Sequence, residues 1–432
     1  MSKINRIKGI ASLCSMLLPI LCLTAQMEGQ QEIEPFSGLT AFTAQEEGIS
    51  AKTSEIEGTA SSLQKKEHKT VCLSMIVKNE HHVITRCLAT VKPLIDYWVI
   101  VDTGSTDGTQ DIIKEYMKGI PGELHEHPWV NFAHNRNQAL NYAKGDYVLI
   151  IDADEMLEYP PDFKLPPLTA DAYLFTLLRG NNEYSLPTLC RTDKKYQWRG
   201  VLHEYLSSPE AKDVGHIQGI VRTTKSDGAR SRDPQKYQKD AEILEKALVE
   251  EPHNERYMFY LAQSYRDCGQ REKSLEAYKK RVAMKGWDQE VFFSLWQIAR
   301  LQEMLNKSHE EIVKGYTAAF VYRPTRVEPL NDLTKYYLKN QEYEKAYRIA
   351  TIGKEIKQPP DILFVEKTAY DFDMLLQYSV AAYWVGKIDE AKKISEELLK
   401  KKDLPDNVRQ VIERNLAFSN AKLIEELTGE EM

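Results

Sequence analysis

The sequence predicts an α/β domain built on a mostly parallel sheet, followed by an all-α domain of helical repeats. Three observations carry this. First, the apolar runs Val71–Val77, Tyr97–Val101 and Tyr147–Ile151 are rich in Val and Ile and turn polar only at their ends, at Lys78-Asn79-Glu80, Asp102 and Asp152-Ala153-Asp154. Short runs of that kind read as strands buried on both faces, the pattern of a parallel sheet. Second, the segments between the runs are long enough for helical crossovers, so the strands can point the same way. Third, from Asp233-Pro234 onward helix formers dominate and apolar residues fall at helical spacing.

The elements follow in order. Glu80–Leu94 is a helix candidate after the first strand. Thr109–Lys118 is a second, opened by Gly104-Ser105-Thr106-Asp107-Gly108, whose residues suit a turn. Gly122–Trp129 reads as a short strand, and Asn131–Lys144 as a third helix stopped by Gly145. Past Asp152 the pattern loosens. Asp171–Leu178, Thr188–Arg191 and Val201–Leu206 are strand candidates of a less regular, antiparallel part. In the helical half, Tyr260-Leu261-Ala262, Tyr265, Gly269, Leu275, Ala277 and Tyr278 follow the tetratricopeptide pattern. Leu295 comes 34 residues after Leu261, the repeat length of that architecture. Weaker echoes follow at Leu333, Tyr337, Asn340, Tyr343 and Ala346, then at Tyr378, Ala381-Ala382, Gly386 and Ala391. Tyr260, Tyr265, Phe292, Trp296, Tyr336 and Tyr337 are expected mostly in the core. Stacked helical repeats leave a groove or a pairing face, which suits acceptor binding or a homodimer. The expected domains are therefore 69–232 and 233–427, preceded by a leader (1–25) and a polar linker (26–68).

The bulk numbers are those of an ordinary globular chain of 432 residues, 42% hydrophobic and 28% charged. A net charge of −7 argues against a nucleic-acid partner. Six cysteines occur without a C-x-x-C pair, which argues against a zinc site or a disulfide scaffold. Lys3, Arg6 and Lys8 precede an apolar stretch from Ile10 to Ala25. That is the layout of a signal peptide or membrane tether, with a disordered leader or misassigned start as the plain alternative. A tether facing the cytosol and export are both open on this leader.

In parallel sheets, ligands bind beyond the carboxyl ends of the strands. Here those ends carry Glu80, Asp102, Asp152 and Asp154. Carboxylates gathered at one edge repel unless a cation or a donor-rich ligand lies among them. Asp102 can accept a hydrogen bond from a base N–H or a ribose hydroxyl. Asp152-Ala153-Asp154 can hold a hard divalent cation that keeps sites for diphosphate oxygens. No G-x-G-x-x-G follows the first strand, which excludes a dinucleotide oxidoreductase of the usual form.

Four stretches carry a resemblance: Leu73–Glu80, Val101–Thr109, His134-Asn135-Arg136-Asn137-Gln138-Ala139, and Gly145–Glu155. With them, Lys69 to Leu206 resembles a family 2 glycosyltransferase of the GT-A fold. Trp198-Arg199-Gly200-Val201-Leu202-His203-Glu204 is similar to the subgroup fused to tetratricopeptide repeats. The resemblance implies a nucleotide-diphosphate sugar donor, a peptide, protein or saccharide acceptor, and an inverting transfer. It places Val77, Asn79, Glu80, Asp102, Gly104, Ser105, Arg136 and Asp152 at the nucleotide sugar, and Asp152 and Asp154 on Mn²⁺ or Mg²⁺. His203 and His216 are both candidates to complete the metal site. An inverting transfer needs a base: Glu204 is the first choice and Glu155 the second. The rival from another class is a repeat scaffold carrying an inactive transferase domain.

Overall fold

The computed structural model describes residues 68–179 and 182–429. The leader and nearly all of the polar linker lie outside the described residues. The chain forms two compact units, one up to Pro252 and one from His253 onward.

The first unit begins with β1 (Val71–Val77), α1 (Ile84–Val91), β2 (Tyr97–Asp102), α2 (Thr109–Tyr116), β3 (Gly122–Glu126), α3 (Phe132–Tyr142) and β4 (Tyr147–Ile150). The first strand matches the sequence reading, and the other two end within a residue of it. The helices are shorter than their apolar patterns, because α1 starts only after the turn that follows β1. Then come β5 (Glu155–Glu158), β6 (Ala172–Arg179), β7 (Asn182–Arg191), β8 (Gln197–Arg199), β9 (Tyr205–Ser207), β10 (Val214–Thr224) and α4 (Lys236–Glu250).

Eight strands form one sheet in the order β3-β2-β1-β4-β7-β6-β10-β5. The first four are parallel, β7 runs antiparallel to both its neighbours, β10 is parallel to β6, and β5 is antiparallel to β10. The expected mixed α/β architecture is therefore present, with its antiparallel part after β4. Both faces of β4 are covered. Tyr147, Leu149 and Ile151 pack with Leu73, Met75 and Leu88. Val148 and Ile150 pack with Cys190 and Leu206. That double burial is why these strands read as unbroken apolar runs.

Register sets the site. Val77 pairs with Asp102, and Ser74 pairs with Ile150. Carried two residues on, that register puts Asp152 level with Ile76. The acids at the ends of β1, β2 and β4 thus share one edge. A separate hairpin, β8 with β9, carries His203 and Glu204 in its connecting loop.

The second unit is all α: α5 (Glu255–Asp267), α6 (Arg271–Met284), α7 (Asp288–Met304), α8 (His309–Tyr322), α9 (Glu328–Lys339), α10 (Tyr343–Gly353), α11 (Met374–Trp384), α12 (Ile388–Leu399) and α13 (Asp406–Thr428). Each helix packs on the next in the chain, giving hairpins α5–α6, α7–α8, α9–α10 and α11–α12 with α13 at the end. Leu261 and Leu295, 34 residues apart, occupy the first helices of successive hairpins. Tyr260, Tyr265, Phe292, Trp296, Tyr336 and Tyr337 are all buried, as core residues. No helix among the described residues is long and apolar enough to cross a membrane.

One close approach gives a test of the sheet edge. A Cβ at Gly122, the first residue of β3, would lie 2.3 Å from atoms of the Trp98 indole. Trp98 is buried and its Nε1–H donates to the Ile120 carbonyl at 3.0 Å, so the ring cannot move without losing that bond. Gly122→Ala is expected to cost about 2–3 kcal/mol, the upper range for overpacking. Urea unfolding measures it; an unchanged midpoint would show that the edge yields freely.

Candidate active site

The turn after β2 is organised by Asp102. Its Oδ1 accepts the amides of Gly104 and Ser105, each at 2.8 Å, and the Gln110 side-chain amide at 3.2 Å. Gly104 stands at φ +103°, a conformation that favours glycine. Asp102 is 1% exposed, and its Oδ2 has no hydrogen-bond partner among the described residues. A buried carboxylate oxygen left so is costly and calls for a donor. Asn79 faces the same turn: its amide donates to Ser105 Oγ and its Oδ1 accepts the Thr106 amide, each at 2.8 Å. The Val77 carbonyl accepts Thr103 N–H at 2.9 Å. The Glu80 amide donates to Thr109 Oγ1 at 2.9 Å. Asp107-Gly108-Thr109 is thus a turn that locks the end of β1 to the start of α2.

The second acidic turn follows β4. Asp152 Oδ1 meets Arg136 Nη2 at 2.8 Å. Arg136 Nε also donates to Glu204 Oε1 at 2.7 Å, and the guanidinium lies 4.9 Å from the Trp198 ring centroid. One arginine of α3 therefore joins the Asp-x-Asp turn to the hairpin loop. Burial alone would lower Arg136, but Asp152 and Glu204 outweigh it and hold it above its ordinary range. Burial opposes charge on Asp152 too, yet Arg136 and Arg222 keep it below the usual carboxylate range. Asn137 fastens the hairpin to α3: its Nδ2 donates to the Trp198 carbonyl at 2.9 Å and its Oδ1 accepts the Trp198 amide at 2.8 Å. Glu204 is 2% exposed, and its Oε2 has no hydrogen-bond partner among the described residues.

A loop after β10 closes on the same acids. The Ala229 amide reaches both Glu80 carboxylate oxygens at 3.2 Å. A Cβ on Gly228 would meet Asp154 Oδ2 at 2.9 Å, so only glycine passes there without displacement. Arg86 holds the loop through Asp227, with bonds of 2.9 and 2.6 Å. Burial, then Asp154 and Asp152, push Glu80 up to about 7. Burial and Asp152 raise Asp154 as well.

The structure thus brings Asn79, Glu80, Asp102, Gly104, Ser105, Arg136, Asp152, Asp154 and Glu204 to one edge. Three further candidates have other surroundings. Glu155 is buried in an ion pair: its Oε2 accepts Arg222 Nε at 2.7 Å and the Asp152 amide at 2.9 Å. Burial pushes Glu155 up to about 7 although Arg222 opposes it, and its contacts with Arg222 and the Asp152 amide shape the turn. His216 lies near the start of β10, whereas Thr224 at its far end pairs with Glu155. A bulge shortens β10 between them, and the pairing with β6, from Leu174 opposite His216 to Leu178 opposite Thr223, puts them roughly 15 Å apart along the sheet. His203 is buried in the β8–β9 loop beside Glu204. The sequence reading missed Arg86, Asp227, Gly228 and Arg222. Asp227-Gly228 was readable as a turn, but nothing in its spacing said which carboxylates it meets.

The state of Glu80 has a consequence for stability. Its folded pKa stands above that of an unfolded glutamate, so the native state binds the proton more tightly between about 4.3 and 7. Stability is then favoured at low pH and falls as pH rises through that window. Glu80→Gln should remove about 1–3 kcal/mol of this loss. Urea unfolding at pH 5 and pH 8 measures it; parallel pH dependence in both proteins would contradict the assignment.

Residues 72–172 match the family described as Glycosyl transferase family 2. A TPR repeat-containing protein of Synechococcus elongatus is 39% identical over 111 residues, 25% of this chain and 27% of that protein. The SPbeta prophage-derived glycosyltransferase SunS of Bacillus subtilis is 22% identical over 242 residues, 52% of this chain and 56% of SunS. The chain thus spans from about a quarter to just over half the length of these curated relatives. The solved structure of S. aureus TarS 1–349 aligns at a TM-score of 0.30 and 14% identity, covering 58% of this chain and 90% of that one. The strand ends that carry Glu80, Asp102, Asp152 and Asp154 all fall within the matched segment, and residues 72–172 are a family 2 glycosyltransferase domain.

Proposed function

We propose that this chain transfers a sugar from a nucleotide-diphosphate donor to an acceptor hydroxyl or thiol, with inversion. The observation that supports it best is the pair of buried, unpartnered carboxylate oxygens, Asp102 Oδ2 and Glu204 Oε2, on either side of the Asp152 turn. A group of that kind calls for a donor, from ordered water or from a ligand. In this reading Asp102 Oδ2 accepts from the base or ribose, with Asn79, Gly104 and Ser105 fixing the turn. Glu80 shares the nucleoside end. Arg136 supplies positive charge toward the diphosphate. Glu204 takes the proton from the acceptor as its oxygen or sulfur attacks the anomeric carbon.

Asp152 and Asp154 fit a hard divalent cation, Mn²⁺ or Mg²⁺. They are oxygen donors on one turn; burial lifts Asp154 and Glu80, and repulsion from neighbouring carboxylates, which a cation would relieve, lifts them further. When bound, such an ion neutralises charge on the diphosphate leaving group. The helical unit, in the same reading, recruits a peptide, protein or saccharide acceptor or pairs two copies of the chain.

Two measurements test this. Calorimetry with a panel of nucleoside diphosphates and Mn²⁺ should find one that binds, with affinity lost on adding EDTA. Asp102→Ala should weaken that binding by about 1.5–3 kcal/mol, the range for a hydrogen bond to a charged group. Unchanged affinity would remove Asp102 from the site.

Glu204→Gln should leave nucleotide affinity intact and lower transfer by roughly a hundredfold or more. Steady-state transfer assays read this; near-normal turnover would move the base elsewhere. Metal-dependent hydrolysis of the donor by the wild-type chain separates an enzyme from a scaffold with an inactive domain.

A further inference from the structure

Residues 354–366, between α10 and the π-helical turn Ala369–Asp373 that leads into α11, do not follow the helical pattern. Pro359 and Pro360 keep the chain out of helix there, and it bends at Pro360 and again at Leu363-Phe364. It then crosses the first helices of three successive hairpins, α5, α7 and α9, and is held there almost wholly by side chains. Gln289 Oε1 of α7 accepts the amides of Ile362 and Leu363 at 3.0 and 2.9 Å. Arg326, between α8 and α9, donates to the carbonyls of Leu363 and Phe364 at 3.2 and 2.9 Å. Glu328 of α9 accepts the Glu366 amide at 3.2 Å.

Three of its side chains are also read. Asp361 sits against Arg323 Nε at 2.6 Å and Arg326 Nη1 at 3.3 Å. The Phe364 ring enters an aromatic pocket, with centroids 4.8 Å from Phe293 and 6.3 Å from Phe259. Glu366 Oε1 lies 3.6 Å from Arg300 Nη1. Phe364 stands at φ +45°, a region bulky residues avoid, so the pocket and the flanking bonds overrule its backbone preference. Arg326 and Glu328 are fully buried beneath the segment's bonds.

Backbone amides and carbonyls fixed by side chains, with alternate anchors in charged and aromatic pockets, is the way a folded surface binds a peptide. We propose that this face of the helical unit reads peptides of the pattern acidic-x-x-aromatic-x-acidic, and that residues 359–366 fill it in cis until an acceptor peptide of that pattern displaces them. The proposal rests on the reading that the helical unit recruits a peptide acceptor. A tethered segment acts at an effective concentration on the order of millimolar. A peptide in trans therefore competes poorly unless the cis anchors are weakened.

The test uses a fluorescein-labelled peptide of sequence Pro-Pro-Asp-Ile-Leu-Phe-Val-Glu and the full chain. Asp361→Ala combined with Phe364→Ala weakens the cis segment and leaves every receiving side chain in place. Anisotropy should show at least about tenfold tighter peptide binding to this variant than to the wild type. Adding Gln289→Ala to the pair should remove the gain. Three results would overturn the proposal. One is no binding to a double variant that still melts cooperatively. Another is equal binding to wild type and variant. The third is loss of cooperative melting in the double variant, which makes the segment part of the core. Binding is read directly, so it is independent of transfer. If a chain lacking the helical unit glycosylates the native acceptor normally, the acceptor reading fails while the peptide measurement still stands.

Discussion

The constraint on which this molecule depends is the repulsion among acids at one edge of its sheet. Parallel strands deliver their carboxyl ends together, so Glu80, Asp102, Asp152 and Asp154 are neighbours by topology. Each excess charge must meet a donor or take a proton. Arg136 meets two of the acids of this region at once, Asp152 and Glu204, and in doing so ties α3, the β4 turn and the β8–β9 loop together. Arg222 does the same for Glu155 beneath the turn. Buried ion pairs of this kind contribute little net stability, because desolvation offsets attraction. Breaking one strands a charge, and that asymmetry fixes geometry.

The helical unit uses the same device without a sheet. Arg281 is fully buried and bonds Glu290 across the α6–α7 junction. Arg326 and Glu328, both fully buried, pair at the start of α9. Trp296 donates to Asp332 at 2.8 Å, linking α7 to α9. Apolar packing gives each hairpin its stability, while these polar links specify which helix face meets which. The segment from Asp361 to Glu366 draws on the same arginines, so its position is set by groups already needed for stacking.

The sequence made the strands legible because a doubly buried strand must be apolar along its whole length, and Val71–Val77 could be little else. It made the acids legible because polarity resumes where burial ends. The repeat showed through Leu261 and Leu295, since stacked hairpins demand the same residue class at the same phase. Partners in space were another matter. That Glu155 faces Arg222 depends on β5 pairing with β10, strands some 60 residues apart whose pairing no local pattern encodes. His203 and His216 looked equivalent as histidines beyond the Asp-x-Asp turn. Only the direction of β10 sets His216 far from it. The segment 359–366 was visible as an interruption with two prolines, but its docking across three helices is a tertiary fact.

The bonds at the acidic edge divide into two kinds. Those of Arg136, Asn137 and Arg222 join elements of secondary structure and cannot change without moving a helix or strand. Those of Gly228 and Ala229 come from one loop, held by the Arg86–Asp227 pair whose carboxylate is exposed. A backbone N–H released from Glu80 can be satisfied by water or by a ligand oxygen at little net cost. The burial and repulsion that lift Glu80 and Asp154 therefore fall on the groups whose present partners are easiest to exchange. The acids facing the loop are left under strain that a bound cation or donor-rich ligand relieves, while the acids facing the helices are already neutralised. That division leaves the loop side of the edge adjustable and the side of Arg136 fixed in geometry.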